Sequence, residues 1–276
     1  MGPPRPLPAL AALVIVLLSA AAARALDPPT NVSARPGTAR VETKKQAGPT
    51  PMVERGLILP LGLLDPYVGP FVDRPPGGDK LRMGASFGAL WGFWPEMHVD
   101  VQIGPNYLTS RAPPGMSRVT VTGRFVKSRP LDVGASVMAV FDPNTRHDFL
   151  SYIQPGLPAI VRPNERLRVD TGVFVPLYPI GERRIGLRVP FNVYVQVTDR
   201  YHVGATSVLV VSDLQGPRTT STLPFGFTGG YSAGPELAFL AVSPYLTWTN
   251  FYTPSTGAVD TRAFVAGVIT DFIIDL

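Results

Sequence analysis

A chain of 276 residues holds one large all-β domain or two small ones, and the absence of cysteine excludes a disulfide framework, a thiolate metal site and a lipidated N-terminal cysteine. With 27 glycines, 31 prolines and only 16 % charged residues, the composition suits many strands joined by turns and not a helical enzyme. The net charge of +5 comes from scattered Lys and Arg, with no basic run beyond Lys44-Lys45 and Arg183-Arg184, which argues against nucleic acid as a partner.

The N-terminus carries an export address. Arg5 supplies a positive charge, Ala9 to Ala22 is apolar but short for a membrane helix, and Ala23-Arg24-Ala25 offers a cleavage site. Residues 1–25 therefore read as a signal peptide, and mass spectrometry of the mature protein should find Leu26 first; retention of Met1 would refute cleavage. From Leu26 to about Glu54 the chain is polar and interrupted by Pro28, Pro29, Pro36, Pro49 and Pro51, which predicts a flexible tether over 26–54.

Strand patterns fill the rest, 55–276. The first is expected near 55–64, followed by a loop over 65–80. In 81–93, Met83, Ala85, Phe87, Ala89, Trp91 and Phe93 oppose Gly84, Ser86, Gly88 and Gly92. In 97–108, Met97, Val99, Val101, Ile103 and Tyr107 oppose His98, Asp100, Gln102, Gly104 and Asn106. Strands follow near 117–127, at 131–141 with Leu131, Val133, Ala135, Val137, Ala139 and Phe141 on one face, and near 149–161, where Pro155 and Pro158 predict a bulge or break. In 166–177, Leu167, Val169, Val173, Val175 and Leu177 oppose Arg166, Arg168, Asp170, Gly172 and Phe174. The clearest element is 184–198: Ile185, Leu187, Val189, Phe191, Val193, Val195 and Val197 share one face, while Arg184, Gly186, Arg188, Pro190, Asn192, Tyr194, Gln196 and Thr198 share the other. Side chains alternate across a strand, so each segment has one apolar and one polar face. Strands near 201–212, 222–232, 236–249 and 261–276 bring the total to about twelve, with lengths suited to a tilted strand crossing a bilayer.

The connections alternate as well. Short turns at 94–96, 128–130, 162–165, 199–200 and 233–235 recur about every 34 to 37 residues, one hairpin apart. Longer loops lie near 65–80, 109–116, 142–148, 178–183, 213–221 and 250–260. Short turns on one side and long loops on the other mark an up-and-down barrel, with both termini on the short-turn side if the strand number is even. Trp91, Phe93, Trp94 and Tyr201 toward one end, and Tyr107, Phe141 and Trp248 toward the other, suit interfacial girdles. A secreted β-sandwich is the rival architecture, since it alternates too, with its apolar faces inward.

Phe264, Val268, Phe272, Ile274 and Leu276 alternate to the last residue. In this ending the chain resembles the bacterial outer-membrane β-barrel superfamily, porin-like members included, although Leu276 stands where the superfamily usually ends in an aromatic. The resemblance implies an all-β, closed antiparallel transmembrane β-barrel in the outer membrane of a Gram-negative cell. It also implies recognition of the last strand by the barrel assembly machinery, with outer-membrane lipid as the surrounding partner.

The strand parity places Arg118, Arg124, Arg166, Arg168, Arg184 and Arg188 on inward faces, with Asp100, Asp132, Asp170 and Asp271. Several lie near the short-turn ends and are expected to form a belt, either as structural ion pairs or as a constriction that meets small solutes. His98 and His202 occupy matching inward positions just after short turns; His147-Asp148, near Asp142, falls in a long loop. No G-x-S-x-G, H-E-x-x-H or P-loop is present, so neither an enzyme nor a cofactor is expected. The function expected is a passive pore for small solutes. The alternatives are a structural or adhesive barrel and, more remotely, an outer-membrane enzyme acting through the rim His–Asp pair.

Overall fold

The computed structural model describes residues 51–276 apart from 79, 109–114, 145–148, 180–183, 217–219, 234–239 and 255. The signal peptide, most of the tether and His147-Asp148 lie outside the described residues. Twelve long strands make the wall: β1 (Leu63–Arg74), β2 (Arg82–Trp94), β3 (Met97–Tyr107), β4 (Ser117–Lys127), β5 (Leu131–Phe141), β6 (Leu150–Asn164), β7 (Leu167–Phe174), β10 (Leu187–Gln196), β11 (Tyr201–Val211), β12 (Ser221–Ser232), β13 (Leu240–Thr253) and β15 (Phe264–Phe272). Four two-residue pieces extend them: β8 (Leu177–Tyr178), β9 (Arg184–Ile185), β14 (Ala258–Val259) and β16 (Ile274–Asp275). Each long strand pairs antiparallel with the next, and β15 pairs back onto β1 through Tyr67↔Asp271 and Phe71↔Gly267. The sheet is closed, and closure leaves no edge strand unpaired.

The pattern is inside out for a water-soluble protein. Phe191 on the outer face is 56 % exposed and Val203 is 53 % exposed, while Arg168 and Asp132 on the inner face are 6 % and 3 % exposed. A sandwich would reverse these numbers, so the sandwich reading is excluded. No helix among the described residues is long and apolar enough to cross a membrane. Strands do the crossing in a barrel.

Hydroxyl and amide side chains hold the short turns. Ser128 Oγ accepts from Leu131 N–H at 3.2 Å, Asn164 Oδ1 from Arg166 N–H at 2.9 Å, and Thr198 Oγ1 from Tyr201 N–H at 3.2 Å. Along the inner wall, glycines on one strand receive rings from the next. A Cβ at Gly88 would lie 2.2 Å from the Tyr67 ring, at Gly84 2.5 Å from Phe71, at Gly156 2.1 Å from Phe174 and at Gly204 2.7 Å from Tyr194. The rings lie flat against bare backbone instead of projecting into the lumen, which covers the glycines and lets the wall curve.

The structure departs from expectation in four places. The first strand runs Leu63–Arg74, not 55–64. Pro66 and Pro70 disguise it in the sequence, and the apolar run from Leu57 imitates a strand one step too early. β6 is continuous through Pro155 and Pro158 and is the longest strand at 15 residues. Each proline drops one donor, but its carbonyl still accepts, as Pro155 O does from Val175 N–H at 2.9 Å. The 184–198 pattern is broken at Gly186, so that β9 turns aside to pair with β8 while β10 stays in the wall. A register shift between β2 and β3, at Ala85/Phe87, puts an extra residue into β3 and reverses its parity. Tyr107 therefore points inward, toward Asp73, and does not join the outer girdle.

Candidate functional site

Residues 51–62 cross the lumen at the short-turn end. The chain leaves the wall at Gly62, whose φ of +82° is a conformation glycine adopts without strain. Gly62 also accepts from the N–H of the last residue, Leu276, at 2.9 Å. A Cβ at Gly92 on β2 would lie 2.0 Å from Pro60 O, so the crossing depends on the bare backbone there.

This cap is bonded to strands all around the barrel. Leu59 N–H donates to His98 Nδ1 (3.1 Å) on β3, Leu57 N–H to Asp132 Oδ2 (3.4 Å) on β5, and Val53 N–H to Gln196 Oε1 (3.4 Å) on β10. In return, Arg162 donates from Nε to Val53 O and from Nη2 to Arg55 O, both at 2.7 Å. Arg168 donates from Nη1 to the carbonyls of Met52 and Arg55, both at 2.9 Å. Arg55 itself donates to Ser232 Oγ at 3.4 Å on β12. Val53 and Ile58 are 2 % and 6 % exposed. Pro51–Glu54, placed by composition at the end of the tether, thus belong to the cap. An irregular segment can lie at this depth only if its amides find partners, and the belt supplies them.

Charged groups on the inner faces grip the cap, in a set that differs from the expected belt by gaining Arg162 and lacking Arg166. Asp132 accepts from Arg162 Nη2 at 3.0 Å and faces Arg124 Nη1 at 3.7 Å; Arg124 also pairs with Glu96. Asp170 holds Arg168 in a two-pronged pair, with Nη2 to Oδ2 at 2.8 Å. Asp271 lies directly opposite Tyr67 on the inner face, and its charge and that of Asp65 act on Arg55. His202 is buried with its ring over Gly230 and edge-on to Tyr194. Arg166 is not on a strand; it sits in the exposed turn between β6 and β7. Arg184 is exposed on β9, its guanidinium 5.6 Å from the centre of the Tyr178 ring.

Toward the long loops lies a chamber of about 320 Å³. Arg118 of β4 and Arg188 of β10 line it, with Gln154, Asn192, Thr206 and Thr247 and an apolar surface of Met138, Phe174, Pro190 and Val208. A second cavity of about 230 Å³ lies between Gly56-Leu57 of the cap and the β6–β7–β10 wall, and it shares Phe174, Pro190 and Asn192 with the first. Near the long-loop end, Asp73 accepts from Arg82 Nε at 2.9 Å and from Tyr107 OH at 3.4 Å. Among the described residues, no group of three or more His, Asp and Glu is placed to hold a metal ion.

Arg162, Gln154, Asp73, Arg82 and Tyr67 are absent from the sequence-derived interior set, whereas Gln196 stands on the polar face of 184–198 that the sequence shows. Arg82 is legible as well, because it alternates with Met83 onto the polar face of its strand. Arg162, Asp73 and Tyr67 fall in segments that read as connections, where strand parity has no hold.

No family model matches the chain, and no curated protein does. Among solved structures, the NanC porin aligns over 76 % of this chain and 99 % of its own, with a TM-score of 0.55 and 10 % identity. An outer membrane channel from Pseudomonas putida F1 aligns over 78 % and 97 %, with a TM-score of 0.52 and 12 % identity. The fold is that of an outer-membrane β-barrel. Identities this low carry the architecture and leave the contents of the lumen to be read from this chain's own residues.

Proposed function

We propose that this chain is an integral outer-membrane β-barrel that passes small solutes, with residues 51–62 closing its short-turn, periplasmic mouth. The observation that carries the reading is the closed barrel with an apolar exterior and a charged interior, because such a surface needs lipid outside and encloses polar space inside. The chamber supports it, and so does the fold shared with two outer-membrane channels. The reading includes export by residues 1–25 and insertion by the barrel assembly machinery. To the expected passive pore the reading adds a gate: the cap's bonds are released before the periplasmic mouth opens.

Two measurements test it. Val193 alternates with the inward Asn192 and Tyr194 on β10, so arginine there should face lipid and lower folding stability in bilayers by about 2–4 kcal/mol; wild-type stability in the V193R protein would reject the membrane orientation. In planar bilayers the wild-type protein should conduct weakly, and removal of residues 51–60 should raise the conductance. A folded, cap-deleted barrel that stays electrically silent would reject the channel and favour the structural or adhesive alternative.

A further inference from the structure

We infer that the chamber above the cap binds a small dianion of the dicarboxylate type, its two ends held by Arg118 and Arg188. The inference rests on the channel reading and names the solute class that the same lumen takes.

The two arginines stand on different walls. In the order β4-β5-β6-β7-β10, Arg118 and Arg188 are four strands apart around a twelve-strand barrel, about a third of the circumference. They face the same chamber from two directions, which suits a ligand with a charge at each end better than one with a single charge. Neither guanidinium is held in a close carboxylate pair, although Arg118 also meets Tyr67. Arg118 reaches Asp100 only at 3.8 Å, beyond hydrogen-bond length, and its side chain is 45 % exposed. Arg188 is half-buried and has no carboxylate partner among the described residues. This contrasts with Arg124, Arg162 and Arg168 in the belt below, each held by a carboxylate.

The chamber lining contains no Asp or Glu. Asp100, outside the lining, offsets part of the Arg118 charge from 3.8 Å, and the full charge of Arg188 leaves net positive potential in a space with low-dielectric walls, where it is least screened. Gln154 adds an independent sign. It is 7 % exposed, it lines the chamber, and its Oε1 is buried without a hydrogen-bond partner. A buried acceptor of this kind is unfavourable until a donor such as water meets it; turned by 180° about its last side-chain bond, the same amide sets its N–H groups in that place and donates to a carboxylate. Between the charged groups, Phe174, Met138 and Pro190 offer an apolar surface that fits a short methylene chain. A bidentate guanidinium–carboxylate contact at each end then fixes the ligand's orientation.

The test is calorimetric titration of the full mature protein in detergent micelles at about 20 mM ionic strength, where screening is weak. The probes are succinate, butyrate and butane-1,4-diol. Succinate should bind, butyrate should bind roughly tenfold or more weakly, and the diol should give no signal. Arg188→Gln and Arg118→Gln should each reduce succinate affinity to about the butyrate level. Arg184→Gln, outside the chamber, should leave it unchanged. Equal affinities for succinate and butyrate would overturn the two-ended site. So would an equal loss in the Arg184→Gln protein, which would assign binding to overall charge. Heat-modifiable gel migration checks that each variant is folded. Binding in micelles needs no conduction, so a silent bilayer recording and a failed titration refute different statements.

Discussion

Replacement of Gly92 by valine should unseat the cap and open the barrel. A Cβ there would lie 2.0 Å from Pro60 O and 2.7 Å from Leu59 O, so side chain and cap cannot occupy the lumen together. The wall has less reason to fail, because β2 keeps its outward Phe87 and Trp91 and its pairing with β1 and β3. Valine is also at home in a strand. Displacing the chain at Leu59-Pro60 strains the Leu59–His98 bond first and then the Leu57–Asp132 bond. Single-channel conductance should rise at least roughly tenfold over wild type, since each 1.4 kcal/mol removed from a barrier is a decade in rate. The chain has no native cysteine, so Ile58→Cys reports the cap directly. Ile58 is 6 % exposed, and its cysteine should resist an aqueous maleimide in the wild-type background and react in the G92V background. Unchanged labelling and conductance in a folded G92V protein would mean that the cap neither depends on Gly92 nor closes the mouth.

Asp132→Ala should be among the most destabilising single changes in the wall. Asp132 is 3 % exposed and stands between Arg162, Arg124 and the Leu57 amide. Its removal leaves the Arg162 guanidinium, whose side chain is about a tenth exposed, without its carboxylate, while Arg124 keeps Glu96. Breaking a buried pair from one side costs about 3–5 kcal/mol, and the lower figure applies because Arg162 keeps the carbonyls of Val53 and Arg55. A urea titration in micelles should show the loss as a lower midpoint. Glu165→Ala is the matched control, since the Arg129–Glu165 pair is 83 % and 80 % exposed; the change there should stay within about 0.5 kcal/mol. A D132A midpoint no lower than that of E165A would mean that water replaces the carboxylate without cost and that the belt contributes little to stability.

The two variants separate two roles of one region. G92V removes the cap and spares the belt, while D132A weakens the belt and only one cap bond. If the belt exists mainly to hold the cap, D132A should also raise conductance. If it exists mainly to hold the wall, D132A should lower the midpoint alone.

The two faces of most strands, a total of about twelve and the alternation of short and long connections are legible in the local pattern. These are local properties: parity along a strand follows from the backbone, so Val193 against Asn192 or Asp132 against Leu131 is legible without knowing any partner. Where residues 51–62 lie depends on contacts with distant strands. Leu57, Ile58 and Leu59 are as compatible with a strand as with a lumen crossing. The choice rests on His98, Asp132, Arg162, Arg168 and Gln196, which reach the cap across separations of 39 to 143 residues. Local patterning cannot register such contacts, because each belt residue also makes sense as an unoccupied polar lining. Tyr107 shows the same limit on a smaller scale. One extra residue in β3 reverses its side, and a bulge is a property of the strand pair and not of either strand.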